Sequence, residues 1–172
     1  MKKIISFLSL VFFSFSLANA QVPAAAANLK AQAAKMGTAL LTKDYKTFAA
    51  YTHPKVLELM GGADKMTAIL DKGSEAMKAK GISFEKITLE QPLKIVKVGS
   101  ELQSSIVQHL LIKMPNGNTQ TSSTLLGFSE DNGVHWKFLD AGNKDFATIR
   151  KLIPNLSADV VIPAQQAPVK VP

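Results

Sequence analysis

Residues 101–129 read ELQSSIVQHLLIKMPNGNTQTSSTLLGFS, and the period of this stretch decides the fold. Side chains along a strand alternate between its two faces. Over residues 102–114 one set is Leu102, Ser104, Ile106, Gln108, Leu110, Ile112 and Met114, and the other is Gln103, Ser105, Val107, His109, Leu111 and Lys113. The first set is the more apolar, so it is expected to face the core. Asn116-Gly117 follows, a pair suited to the positive φ angles of a two-residue hairpin turn. A second strand is therefore expected over 119–128, antiparallel to the first.

The same punctuation continues outward on both sides. Asn132-Gly133 marks another turn, and 135–141 the next strand, where Trp136, Phe138 and Asp140 share one face. Trp136 and Phe138 carry most of the buriable area there, which turns that face inward and takes Asp140 with it. Upstream, 82–90 is strand-like, Pro92 forces an edge or a break, and 93–98 leads through Gly99-Ser100 into the long strand. Connections this short join antiparallel neighbours.

Ahead of residue 82 the apolar period is close to four. Leu29, Ala33, Met36 and Leu40 form a helical stripe, and Pro23 sits where a first helical turn tolerates it. Asp44 is a natural N-cap for a short helix that places Tyr45, Phe48 and Ala49 inward. That helix should stop at Thr52-His53, because the residue before Pro54 is steered away from helical angles. Pro54 opens a further turn over 55–60, closed by Gly61-Gly62. A third helix starts near Ala63, with Met66, Ile69, Leu70, Gly73 and Met77 on one face, and ends at Gly81. Residues 142–153 suit one more helix on Phe146, Ile149 and Leu152 or Ile153, stopped by Pro154. From residue 158 onward, prolines make an extended tail that lies on the domain or free of it. The expected class is α+β, with N-terminal helices packed in the concave face of a curved antiparallel sheet.

Residues 1–20, MKKIISFLSLVFFSFSLANA, have the form of a secretory signal peptide. Two lysines precede an apolar run shorter than a membrane span, and Ala18-Asn19-Ala20 supplies the cleavage site. The expected layout is a signal peptide over 1–20, cut between Ala20 and Gln21, one domain over 21–157 and a tail over 158–172. Cleavage lowers the formal charge from +7 to +5. The lysines are scattered singly, without the basic stripe and interleaved aromatics of a nucleic-acid binder, so no nucleic-acid partner is expected. The mature chain is expected in the periplasm or outside the cell, without stable membrane insertion. With no cysteine and 3 histidines, disulfides, thiolate chemistry and a side-chain metal site are not expected. Phosphate-loop, dinucleotide-binding, zinc-protease and serine-hydrolase motifs are absent, and no cofactor is expected.

The helix stripe, the segment KDYKTFAAYTHPKVLELMGG and the hairpin SEDNGVHWKFLDAG give a layout that resembles the nuclear transport factor 2-like superfamily, in particular its secreted SnoaL-like members. The resemblance spans about residues 24–141. It implies a sheet wrapped around helices as a cone, a hydrophobic ligand within it and a homodimer through the outer sheet face. Its enzymes, ketosteroid isomerases, dehydratases and cyclases among them, use Asp, His or Tyr inside the cone. Here an acid, a base and an oxyanion donor are not jointly evident.

Asp140 is the catalytic candidate: beside Trp136 and Phe138 it would be desolvated and become a general base. Its other reading is structural, accepting hydrogen bonds from the following turn or pairing with Arg150. Tyr51, His53, Ser104, Gln108 and Trp136 are candidates to line a pocket. For His53 the alternative is capping the turn at Pro54, and for Ser104 and Gln108 it is a partner on another strand. Ser129-x-Asp131-x-Gly133-x-x-Trp136 matches the Asp-box pattern of sialidase-type propellers, where the box is a structural hairpin; one copy in so short a chain cannot build a propeller. Asp131 is expected to fix the turn. The leading expectation is an exported, non-catalytic domain binding an apolar small molecule or a protein partner. The alternatives are a cofactor-independent isomerase, dehydratase or cyclase using Asp140, and a structural envelope protein.

Overall fold

Four helices come first along the chain: α1 (Leu17–Leu41), α2 (Tyr45–Tyr51), α3 (Pro54–Met60) and α4 (Ala63–Ala79). They are followed by strands β1 (Ser83–Leu89), β2 (Val96–Val98), β3 (Glu101–Met114), β4 (Gly117–Ser129) and β5 (Lys137–Asp140), then α5 (Phe146–Leu152) and β6 (Val169–Val171). The structure is a computed structural model that describes residues 17–142 and 144–171. Residues 1–16, most of the expected signal peptide, lie outside the described residues.

The helix ends follow the local chemistry. The Asp44 carboxylate accepts the Thr47 N–H at 3.1 Å and starts α2. Gly61 takes the left-handed conformation, φ 81°, that closes α3. Asp145 opens α5 by accepting the Thr148 N–H at 2.7 Å. One boundary differs from expectation: α1 begins ahead of Pro23, which lies inside it. Leu17, Ala18 and Ala20 are strong helix formers, and they carry the helix across the hydrogen bond that proline cannot make. Cleavage after Ala20 would return Pro23 to the first turn.

The long strands β3 and β4 form the sheet centre, paired without a break from Leu102 opposite Ser129 to Met114 opposite Gly117. Each outer edge is shared by two short strands. On the far side of β3 lie β2 and β1, and on the far side of β4 lie β5 and β6. Every strand pair is antiparallel, so the class is α+β with an open six-stranded sheet. Only Val96–Val98 of the expected strand 93–98 is regular. Beyond Pro92 the chain runs irregularly along β3, tied by the Leu93 N–H to the Ser105 carbonyl at 2.8 Å.

Both sheet faces are covered at the same end of the hairpin. On one face Ile106, Leu125, Trp136 and Phe138 are buried under Ala25, Leu29, Ala33 and Met36 of α1. Gly127 makes room for this packing, since a Cβ there would lie 3.1 Å from the Trp136 ring and 3.2 Å from Leu29. On the other face Val96, Leu126, Phe128 and Leu139 are buried under Ile149, Ile153, Leu156 and Val160. Each large apolar side chain fully buried contributes about 2 kcal/mol, so neither cover is incidental. Within the segment expected as a tail, residues 158–160 turn, Val160 is buried, and β6 pairs with residues 118–120 of β4.

At this end of the sheet the outer apolar surface is covered by the chain's own C-terminal segment.

Candidate functional site

The residues expected to line one pocket are not brought together. Trp136 is buried under α1, with its Nε1–H donated to the Gly133 carbonyl at 3.1 Å. Ser104 is also fully buried and gives its hydroxyl to the Leu93 carbonyl at 3.1 Å. Tyr51 is half-buried against the core beneath α1. Ala33 of α1 is buried in that same core. The interior of the helix–sheet layer is therefore packed, not hollow, where these residues lie.

Asp140 does share a face with Phe138, but at the end of the strand, where it is exposed. The desolvation expected for a general base is absent. Its carboxylate accepts the Gln108 amide at 2.9 Å, the Ser123 hydroxyl at 3.0 Å and the Gly142 N–H at 2.8 Å. Gln108 also donates to Ser123, at 2.9 Å. The structural reading of both residues thus accounts for their contacts, while Arg150 lies over the Phe146 ring, 6.0 Å from its centroid.

His53 caps α3. Its Nδ1 accepts the Lys55 N–H at 3.1 Å, and its ring meets the Phe128 ring edge-on at 4.8 Å. Phe128 belongs to the face away from α1, so His53 and Tyr51 end up on opposite sides of the β5 edge. The chain crosses that edge at Thr52, which bridges to Phe138. Burial lowers the His53 pKa, with Lys55 adding to the effect and Glu130 opposing it. A lowered value matches its geometry, because Nδ1 must be unprotonated to accept.

The hairpin motif forms as its residue types require. The Ser129 hydroxyl donates to Asp131 Oδ1 at 2.9 Å and accepts the Gly133 N–H at 2.9 Å. Asp131 also accepts the His135 N–H at 2.8 Å and its ring Nδ1–H at 2.6 Å. These donors hold the Asp131 carboxyl down at about 2, the His135 backbone N–H contributing most. Helix α1 clamps the same turn: Asn28 donates to the Gly133 carbonyl, Gln32 donates to the Val134 carbonyl, and the Trp136 N–H donates to Gln32. All of this chemistry is spent on holding the turn.

Two of the concavities among the described residues are large enough to matter here. The larger, about 760 Å³, lies on the C-terminal side between His53, Phe128, Glu130, His135, Ile153 and Pro154. Its polar groups are largely committed: Lys137 donates to the Ala50 carbonyl, Glu101 accepts from Gln103 and Asn155, and Asp131 holds His135. Among the described residues no group of three His, Asp or Glu is placed to hold a metal ion.

The second is a groove of about 610 Å³ between the end of α1, the outer face of α4 and the start of β1. Its walls are Leu40, Leu41, Tyr45, Ile69, Leu70, Met77, Ile82 and Phe84, with Gly73 opening one side. The helical stripe expected to be buried is in fact half open: Met66 is 4% exposed, but Ile69 is 47% exposed. Sequence reasoning missed this groove, because periodicity identifies an apolar face without showing how closely its neighbour approaches. Gly73 was the available signal, a residue with nothing to pack in the middle of a packing stripe.

No protein-family model matches the chain, and no curated protein matches it significantly. Among the described residues no helix is long and apolar enough to cross a membrane.

Proposed function

We propose that the protein is exported and non-catalytic, and that it binds an apolar small molecule in the groove between α1, α4 and β1. The observation that carries this reading is the groove's lining. It combines ligand-sized volume with a wall of apolar side chains that a folded chain normally buries. Export is supported by the signal-like residues 1–20. A non-catalytic role is supported by Asp140, whose carboxylate is exposed and engaged by three donors of its own chain. A cone of the nuclear transport factor 2-like kind is the proposed fold family, supported by four helices ahead of an antiparallel sheet and by α1 lying along one of its faces.

The test uses a neutral fluorophore, N-phenyl-1-naphthylamine, titrated into wild type and Gly73→Leu. A Cβ at Gly73 would meet nothing within 4 Å, so a side chain can start there toward the groove that Gly73 lines. Leucine also replaces glycine inside a helix, worth about 0.8 kcal/mol of added stability. The expected result is affinity reduced more than tenfold with a higher urea midpoint. Unchanged affinity in the variant, or no binding by wild type, overturns the reading.

A further inference from the structure

The charged residues lining the groove are Lys43 and Lys78, and no carboxylate is among its lining residues. Both lysines come from the ends of elements that build the walls, Lys43 just past α1 and Lys78 in the last turn of α4. A lysine in this position lays its methylenes along apolar surface and keeps its ammonium at the water boundary. The Lys43 ammonium is bound to Glu75 at 2.8 Å, but both side chains are about half exposed, at 45% and 59%. An ion pair that open to water is weak and readily exchanged for another anion. Ser74 and Ser83 also line the groove, with their hydroxyls donated to the Asp71 carbonyl and to Glu85.

Apolar walls edged by two lysines, with Glu75 paired to Lys43 and facing Lys78, define a ligand with two parts. We propose that the groove selects an anionic amphiphile, a single apolar tail ending in an acidic group, with the tail against Leu40, Leu70, Met77 and Phe84 and the acid at Lys43 and Lys78. This inference rests on the groove being the binding site, and it adds the charge of the ligand to that reading. Lys43 exchanges Glu75 for the ligand acid, and no covalent step is involved.

The experiment compares decanoate, decanol and decyltrimethylammonium at pH 7.5, each below its micelle concentration, as competitors of N-phenyl-1-naphthylamine. Their tails are equal and only the heads differ. The expected result for wild type is decanoate binding at least tenfold more tightly than decyltrimethylammonium and about fivefold more tightly than decanol, with the advantage shrinking in 0.5 M salt. In Lys43→Met/Lys78→Met the three should converge to within about twofold, with decanol affinity and the urea midpoint unchanged. Equal affinities in wild type overturn the inference and leave the groove reading standing. A preference for decanoate that survives in the double variant also overturns it, since the acid is then recognised elsewhere. If none of the three displaces the fluorophore, both readings fall together.

Discussion

Helix α1 is packed directly against the turn at Gly133, and this makes Gly133→Ala the most informative single substitution. Its backbone has φ 85°, and an added Cβ would stand 2.3 Å from the Ala25 Cβ and 2.9 Å from its Cα. Two costs follow. Placing a non-glycine residue in the left-handed region costs about 1–2 kcal/mol. Forcing a methyl group into a filled site costs about 1–3 kcal/mol more. Here the second cost cannot be relieved by turning a side chain, because the obstacle is the helix itself. The carbonyl of Gly133 also accepts from Trp136 Nε1 and Asn28, so a shift of the turn weakens both bonds. The expected loss is about 2–5 kcal/mol, measured by urea unfolding with the slope unchanged. Gly99→Ala is the control, since Gly99 has φ 61° and nothing within 4 Å of an added Cβ. It should show the backbone cost alone. If the two variants agree within about 0.5 kcal/mol, the argument that α1 is seated rigidly on this turn is wrong.

Two predictions concern pH. Asp131 titrates at about 2 in the fold against 3.8 for the free group, so its contribution is complete above pH 3.8 and is lost as the pH falls through about 2. Urea midpoints of wild type should fall between pH 4 and 2 more steeply than those of Asp131→Asn, and parallel curves would refute the assignment. His53 is held below its ordinary 6.5, so protonating it favours the unfolded chain, and stability declines as the pH drops below 6.5 toward its lowered folded value. His53→Asn keeps a capping acceptor and should remove that decline, whereas His53→Ala should cost about 1 kcal/mol above pH 7. A decline of wild-type size in His53→Asn would place its origin elsewhere.

The parts of the fold that could be read from sequence are those set by neighbours in the chain. Asn116-Gly117 turns the long hairpin, Asp44 starts α2, Gly61 closes α3, and the Ser129–Trp136 spacing builds its own turn because each donor lies within a few residues of its acceptor. Alternation also identified the face of β3 that meets α1, since Ile106 could not be left in water. What escaped the sequence depends on distances between elements. Asp140 lies on the face its alternation assigns, but its burial depends on what packs over the end of β5, and there it is exposed. The capping alternative for His53 is local and legible beside Pro54, but the side of the sheet it lies on is decided by the chain crossing the β5 edge at Thr52. The groove lies between α1, α4 and β1, and the spacing of three elements is something no residue pattern encodes. Val169-Lys170-Val171 alternates like a strand, but three residues among prolines carry too little signal to be recognised without the edge they join.

The outer cover of the sheet has a consequence for the order in which the molecule can be completed. Leu126, Phe128 and Leu139 are shielded by Ile149, Ile153, Leu156 and Val160, which come later in the chain than the whole hairpin. A polypeptide emerging from the ribosome N-terminus first therefore presents the hairpin with one greasy face bare until residues 149–160 follow it out. During that interval the bare face is the surface a chaperone would hold.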